Sequence, residues 1–179
     1  MVTPTDTRVI DPEFAMMGPI GFDLGAYLGN LLLSWYSQPG HAAPGRNRNP
    51  MRAWLLEQVE IFWTHFSDSF LSLWRTQAGG DAYPLSLFAA QVDRYAFEAE
   101  RQAYMDALFA DMIGFAACKM IRRLFGFAHV ADFDSIADAD ARAAGEKNAL
   151  TLARAILLEP QRFQKIGDIV AMTVQIAHR

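Results

Sequence analysis

Cysteine is almost missing from this 179-residue sequence: Cys118 stands alone, so no disulfide can form within the chain. That usage fits a reducing, intracellular compartment. The setting Phe115-Ala116-Ala117-Cys118 points to an inert thiol in the core rather than a nucleophile. The four histidines, His41, His65, His129 and His178, are far apart, with no i, i+4 pairing and no cysteine beside them, which argues against a zinc site. No Ser/His/Asp or Cys/His arrangement suggests nucleophilic catalysis. Excess positive charge is also lacking: 16 Lys and Arg face 20 Asp and Glu, for a net charge of -4. The binding of a nucleic-acid backbone needs clustered cations, so no nucleic-acid partner is expected. No apolar run approaches the ~20 residues of a membrane span. Nor does the N-terminus carry a basic stretch followed by a hydrophobic core. The chain therefore reads as cytoplasmic, with no membrane partner.

What is abundant is apolar and aromatic side chain, 52% and 12% of residues, enough for a real core and too much for disorder. Leu24, Tyr27, Leu28, Leu31, Leu32 and Trp35 recur at three- and four-residue steps and predict a helix, with Asp23 in the position of an N-cap. Residues 39–50 concentrate proline, glycine and asparagine and read as a long loop. A second helix follows from about 51 to 75, striped by Leu55, Val59, Phe62, Phe66, Phe70 and Trp74. Helical spacing then runs from Leu85 to Leu124 as two helices with a break near residue 100, Gly114 weakening the second. A short helix at 132–136, an amphipathic one at 141–158, a restart at Pro160 and a final helix after Gly167-Asp168 complete the pattern. No internal repeat and no second domain is visible. Trp35, Trp54, Trp63 and Trp74 lie in or beside apolar stripes and read mostly as core.

Two charged pairs stand out. Asp11 and Glu13 flank Pro12 at the end of a β-branched run, Val9-Ile10. Side chains alternate along a strand, so both carboxylates would leave the pleat on one side, as Mg²⁺ coordination to a nucleotide phosphate requires. The plain alternative is an Asp-Pro turn with a surface glutamate. Arg122 and Arg123 are adjacent in a helical segment, and consecutive helical side chains diverge by about 100°. Both cannot lie on one solvent face, so one of them turns toward a cleft or a neighbour. Guanidinium forks match phosphate oxygens, and a salt-bridged helix surface is the plain alternative. Lys119, one turn earlier, reads as a surface charge.

The stretches Ile10-Asp11-Pro12-Glu13-Phe14-Ala15, Gly21-Phe22-Asp23-Leu24-Gly25-Ala26-Tyr27-Leu28-Gly29-Asn30 and Lys119-Met120-Ile121-Arg122-Arg123-Leu124, with Gly126-x-Ala128-His129-Val130, carry a resemblance. Together they resemble the C-terminal lobe of small-molecule kinases of the aminoglycoside phosphotransferase and choline kinase type, and within these the methylthioribose kinase family. The resemblance covers nearly the whole chain in order. It implies a mainly α fold, the helical C-terminal lobe of a protein-kinase-like fold with a short β segment at its start. Residues 1–20 would form the strand end and metal-binding turn, and 21–179 the helical body of one domain.

It also implies an ATP-dependent sugar kinase that uses Mg²⁺ and phosphorylates the 1-hydroxyl of 5-methylthioribose in methionine salvage, with a homodimer as the intact enzyme. Asp11 and Glu13 would hold the metal and nucleotide phosphates, and Arg122 and Arg123 the transferred phosphate. Asp23 would brace the catalytic loop. A Gly-rich loop, a strand lysine and a catalytic-loop aspartate have no counterpart here, so the N-terminal lobe and catalytic loop are expected to lie outside this chain, which should be inactive alone. Two rivals remain: a related kinase with another alcohol acceptor, such as choline or an aminoglycoside, and a non-catalytic helical interaction module.

Overall fold

The computed structural model describes residues 5–6, 17–77, 83 and 91–178. Among these the architecture is mainly α, as expected. Helix α1 spans Ile20–Ser37, α2 Asn49–Thr76, α3 Gln91–Phe125, α4 Ala131–Asp134, α5 Ala139–Leu158 and α6 Ile166–Ala177. No strand occurs among the described residues, apart from an isolated bridge between Ala43 and Arg46. The expected β segment at Val9-Ile10, together with Asp11 and Glu13, lies outside them.

Helix α1 is the axis of the molecule. Leu28, Leu32 and Leu33 have no exposure, and Leu24, Trp35 and Tyr36 are buried around them, so apolar residues occupy most of its circumference. It packs against α2, α3 and α5, while α6 covers α2 and α5. Its face toward α3 is bare: Gly21, Gly25 and Gly29 follow at four-residue steps. A Cβ at Gly25 would stand 2.5 Å from the Met112 carbonyl oxygen, and one at Gly29 would stand 3.0 Å from that of Ala116. The partners advance with the glycines, so α1 and α3 run parallel at backbone contact. Only hydrogen at these positions permits that approach.

Against α2, in contrast, α3 keeps its distance and fills the space with rings. Trp63 meets Phe109 at 5.1 Å, Phe70 stacks on Tyr104 at 5.9 Å, and Trp74 meets Phe97 edge-on at 6.3 Å. Partner numbers fall as α2 advances, so the pair is antiparallel. Offset and edge-on rings at these separations are the favoured aromatic geometries.

Arg101, 7% exposed, closes this layer. Its guanidinium lies 3.9 Å over the Phe97 ring and pairs with Glu98, whose other oxygen accepts from Arg75 Nη2 at 3.0 Å. The hydrogen bond from Arg75, with help from Arg101, holds the Glu98 carboxyl below its ordinary range. A carboxyl depressed in the folded state stabilises the fold above its unfolded pKa, and that stabilisation fades as pH falls through the folded value. Glu98→Gln is thus expected to lower stability modestly at pH 7 and to converge with the parent as pH falls below the usual glutamate range, as thermal melts at stepped pH would show. A mutant profile parallel to the parent's would contradict it.

Several local expectations are corrected. Helix α3 is continuous through residue 100. Ala96, Glu98, Ala99, Glu100, Arg101, Gln102 and Ala103 are strong helix formers, so nothing local ends the helix there. Gly114 does not interrupt it either. Asp23 is not the N-cap: α1 begins at Ile20 after the extended Pro19, and Asp23 lies in its first turn, where a carboxylate suits the positive end of the helix dipole. Trp54 is half exposed rather than core. The expected loop contains a 3-10 turn at Gln38–His41, and His41 Nε2 lies 2.8 Å from the Asp132 carbonyl oxygen, tying this segment to α4. A true side-chain cap occurs at α5, where Asp138 Oδ1 accepts from the backbone of Asp140 and Ala141 at 2.9 and 3.1 Å.

Candidate functional site

Where the glycine face of α1 meets the last turns of α3, a hollow of about 100 Å³ remains, lined by Phe22, Ala26, Phe115, Cys118, Lys119 and Arg122. The four residues from α3 follow at i, i+3, i+4 and i+7, one stripe of a single helix face. The two from α1 are one turn apart. Phe22 and Phe115 meet edge to face at 5.6 Å and form an apolar wall. The opposite rim is cationic. Absence of a side chain at Gly29 leaves room for the Lys119 stem, whose Cγ lies 3.3 Å from the place a Cβ there would take.

Lys119 is therefore half-buried and part of the hollow, not the plain surface charge expected. Burial lowers its pKa, and the neighbouring positive charges of Arg123 and Arg122 lower it further. Among the described residues, no carboxylate forms an ion pair with any of the three cations. Sequence reasoning missed Lys119 because an amphipathic stripe cannot show that the helix opposite lacks side chains. The glycines at four-residue steps in α1 were the available signal.

The two arginines part company. Arg122 is exposed at the hollow's rim. Arg123 turns the other way, and its Nη1 donates to the Ala128 carbonyl at 3.1 Å, bracing the turn that ends α3. Gly126 shapes that turn: its N–H donates to the Arg122 carbonyl at 2.8 Å, and a Cβ at this position would lie 2.3 Å from the same oxygen. Cys118 is exposed in the hollow, against the expectation of a core thiol, because the core-facing positions of that turn are Ala116 and Ala117. His129 is exposed, with Nδ1 3.9 Å from Asp134 Oδ1. No group of three or more metal-ligating side chains occurs among the described residues. Asp11 and Glu13 lie outside them, so the structure does not relate that dyad to the arginines.

An unpaired cationic rim beside an apolar wall suits a small organic anion, and comparison with known proteins gives that chemistry a context. The chain is 43% identical to methylthioribose kinase 1 of Oryza sativa subsp. japonica over 172 residues, 95% of its own length. By sequence it is a relative of the methylthioribose kinases. Methylthioribose kinase 2 of the same plant is 42% identical over 172 residues, and methylthioribose kinase of Escherichia coli O45:K1 is 39% identical over 170. The chain spans about two fifths of the length of these kinases, 39–40% of each. No family model matches it. The resemblance carried by the Gly21 and Lys119 stretches is thus matched by methylthioribose kinases along nearly the whole chain. No helix among the described residues is long and apolar enough to cross a membrane.

Proposed function

We propose that this chain supplies the acceptor-side helical part of an ATP-dependent kinase that phosphorylates the 1-hydroxyl of 5-methylthioribose, a cytoplasmic step of methionine salvage performed by a homodimer. The observation that carries the reading is the similarity to methylthioribose kinases over 95% of the chain. The cationic hollow supports it. Phosphoryl transfer leaves little covalent chemistry to the protein and depends on positioning and on positive charge where negative charge develops.

In this reading Arg122 meets the transferred phosphoryl group with its guanidinium, two parallel N–H donors matching two oxygens. Arg123 contributes charge from the next position and holds the end of α3 in place through Ala128. Asp11 and Glu13 are the proposed ligands of a nucleotide-bound Mg²⁺, which would neutralise phosphate charge when present. The base and nucleotide clamp come from residues with no counterpart in this sequence. Cationic acceptors such as choline are disfavoured, because Lys119, Arg122 and Arg123 would repel them.

The test is reassembly. Co-expression of this chain with a polypeptide carrying the nucleotide-binding lobe and His-Gly-Asp loop of a methylthioribose kinase should yield ATP-dependent phosphorylation of 5-methylthioribose, with the new ester at C1 by ³¹P NMR. An assembled pair that turns over choline but not methylthioribose, or neither, would overturn the proposal.

A further inference from the structure

The α1–α3 hollow is small. At about 100 Å³ it has the volume of roughly three water molecules, far below the several hundred Å³ of a nucleotide site. It fits a single phosphoryl-sized group with a short apolar attachment. Its two formal charges are both positive, and the wall opposite them is made of the Phe22 and Phe115 rings.

Lys119 lacks any carboxylate partner among the described residues, although it stands one turn from Arg122 and beside Arg123. Three neighbouring cations repel one another, and part of the Lys119 hydration is already removed by burial, which lowers its pKa. A bound dianion would reverse both penalties at once. The Gly29 gap seats the Lys119 stem against α1, and the residue lines the hollow.

We propose that Lys119 is a further substrate-contacting residue: with Arg122 it forms a binding edge for the phosphoryl group of a small sugar phosphomonoester, whose ring C–H edge rests on Phe22 and Phe115. This assignment rests on the kinase reading for its choice of ligand, the phosphorylated sugar. Arg123, turned to Ala128, reinforces the field without occupying the hollow.

Cys118 offers a readout independent of catalysis. It lines the same hollow and is the only cysteine in the chain, so its alkylation by iodoacetamide reports occupancy. Ribose 1-phosphate, and more weakly inorganic phosphate, should slow Cys118 alkylation several-fold, whereas sodium chloride at equal ionic strength should not. Lys119→Met keeps the stem over Gly29 and removes the charge. It should raise the ribose 1-phosphate concentration needed for half-protection about tenfold, the loss of one charge-assisted hydrogen bond. Lys119→Arg should retain most of the protection, and Lys147→Met, exposed on α5, all of it. Circular dichroism confirms that each variant is folded.

Absence of protection in the folded parent, equal protection by sodium chloride, or an unchanged half-point in Lys119→Met would each overturn the proposal. Its failure and that of the kinase reading are separable. Protection without phosphotransfer by the reassembled pair would sink the kinase reading alone, and phosphotransfer without protection would sink only the role of Lys119.

Discussion

Gly25→Ala is expected to destabilise the chain by about 2 kcal/mol, despite replacing the poorest non-proline helix former with the best. The new methyl would enter a space already bounded by the Met112 carbonyl oxygen at 2.5 Å, the Phe115 Cβ at 2.6 Å and the Ala116 nitrogen at 2.8 Å. Two of those atoms are backbone and cannot rotate away, so α1 and α3 must separate along their length. Overpacking of this kind costs about 3 kcal/mol, against ~1 kcal/mol gained in helix propensity. Gly25→Val, with two more methyl groups, should not fold. Gly114→Ala supplies the contrast, since nothing lies within 4 Å of its Cβ position. There the propensity term acts alone and should raise stability by about 0.5–1 kcal/mol. Urea unfolding at constant m-value reads both changes. A Gly25→Ala chain more stable than its parent would show that the two helices do not touch as described.

The second large effect concerns the arginine pair in the proposed reassembled kinase. Arg122→Gln should lower kcat by about 10²–10³-fold, the range for losing one preorganised donor to developing charge. The urea midpoint should stay unchanged, since the side chain is exposed. Arg123→Gln should act mainly on stability, by about 0.5–1.5 kcal/mol, because the half-buried guanidinium holds the exposed Ala128 carbonyl and bracing of the turn would be lost. The ratio of kinetic to stability loss in the two variants measures how the roles divide. If Arg122→Gln kept full turnover while Arg123→Gln abolished it at unchanged stability, the assignment of the two side chains would be reversed.

Helix positions were legible wherever an apolar stripe met a single partner. The spacing through Leu24, Leu28 and Leu32 predicts α1, and that from Leu55 to Trp74 predicts α2, both to within a few residues of their ends. The same reasoning stumbled in α3, which meets α2 as far as Phe109 and α1 from Asp111 onward. Periodicity records which face is apolar but not that a second neighbour has taken over. The divergence of Arg122 from Arg123 was legible too, because it follows from helical geometry alone. Which arginine turns inward was not, since that depends on where the carbonyl of Ala128 comes to rest.

By itself, the sequence determined that this chain is a helical body with an acidic balance, one thiol and a kinase-like order of motifs. The first three reside in local propensity, side-chain period and composition, and the last is a likeness to relatives along the chain, so none needs a neighbour. Only the tertiary structure decided that Lys119 and Cys118 share a hollow with Arg122. That outcome depends on three glycines letting α1 approach α3 at backbone distance, and a residue with no side chain leaves no pattern of its own from which the depth of a contact can be read.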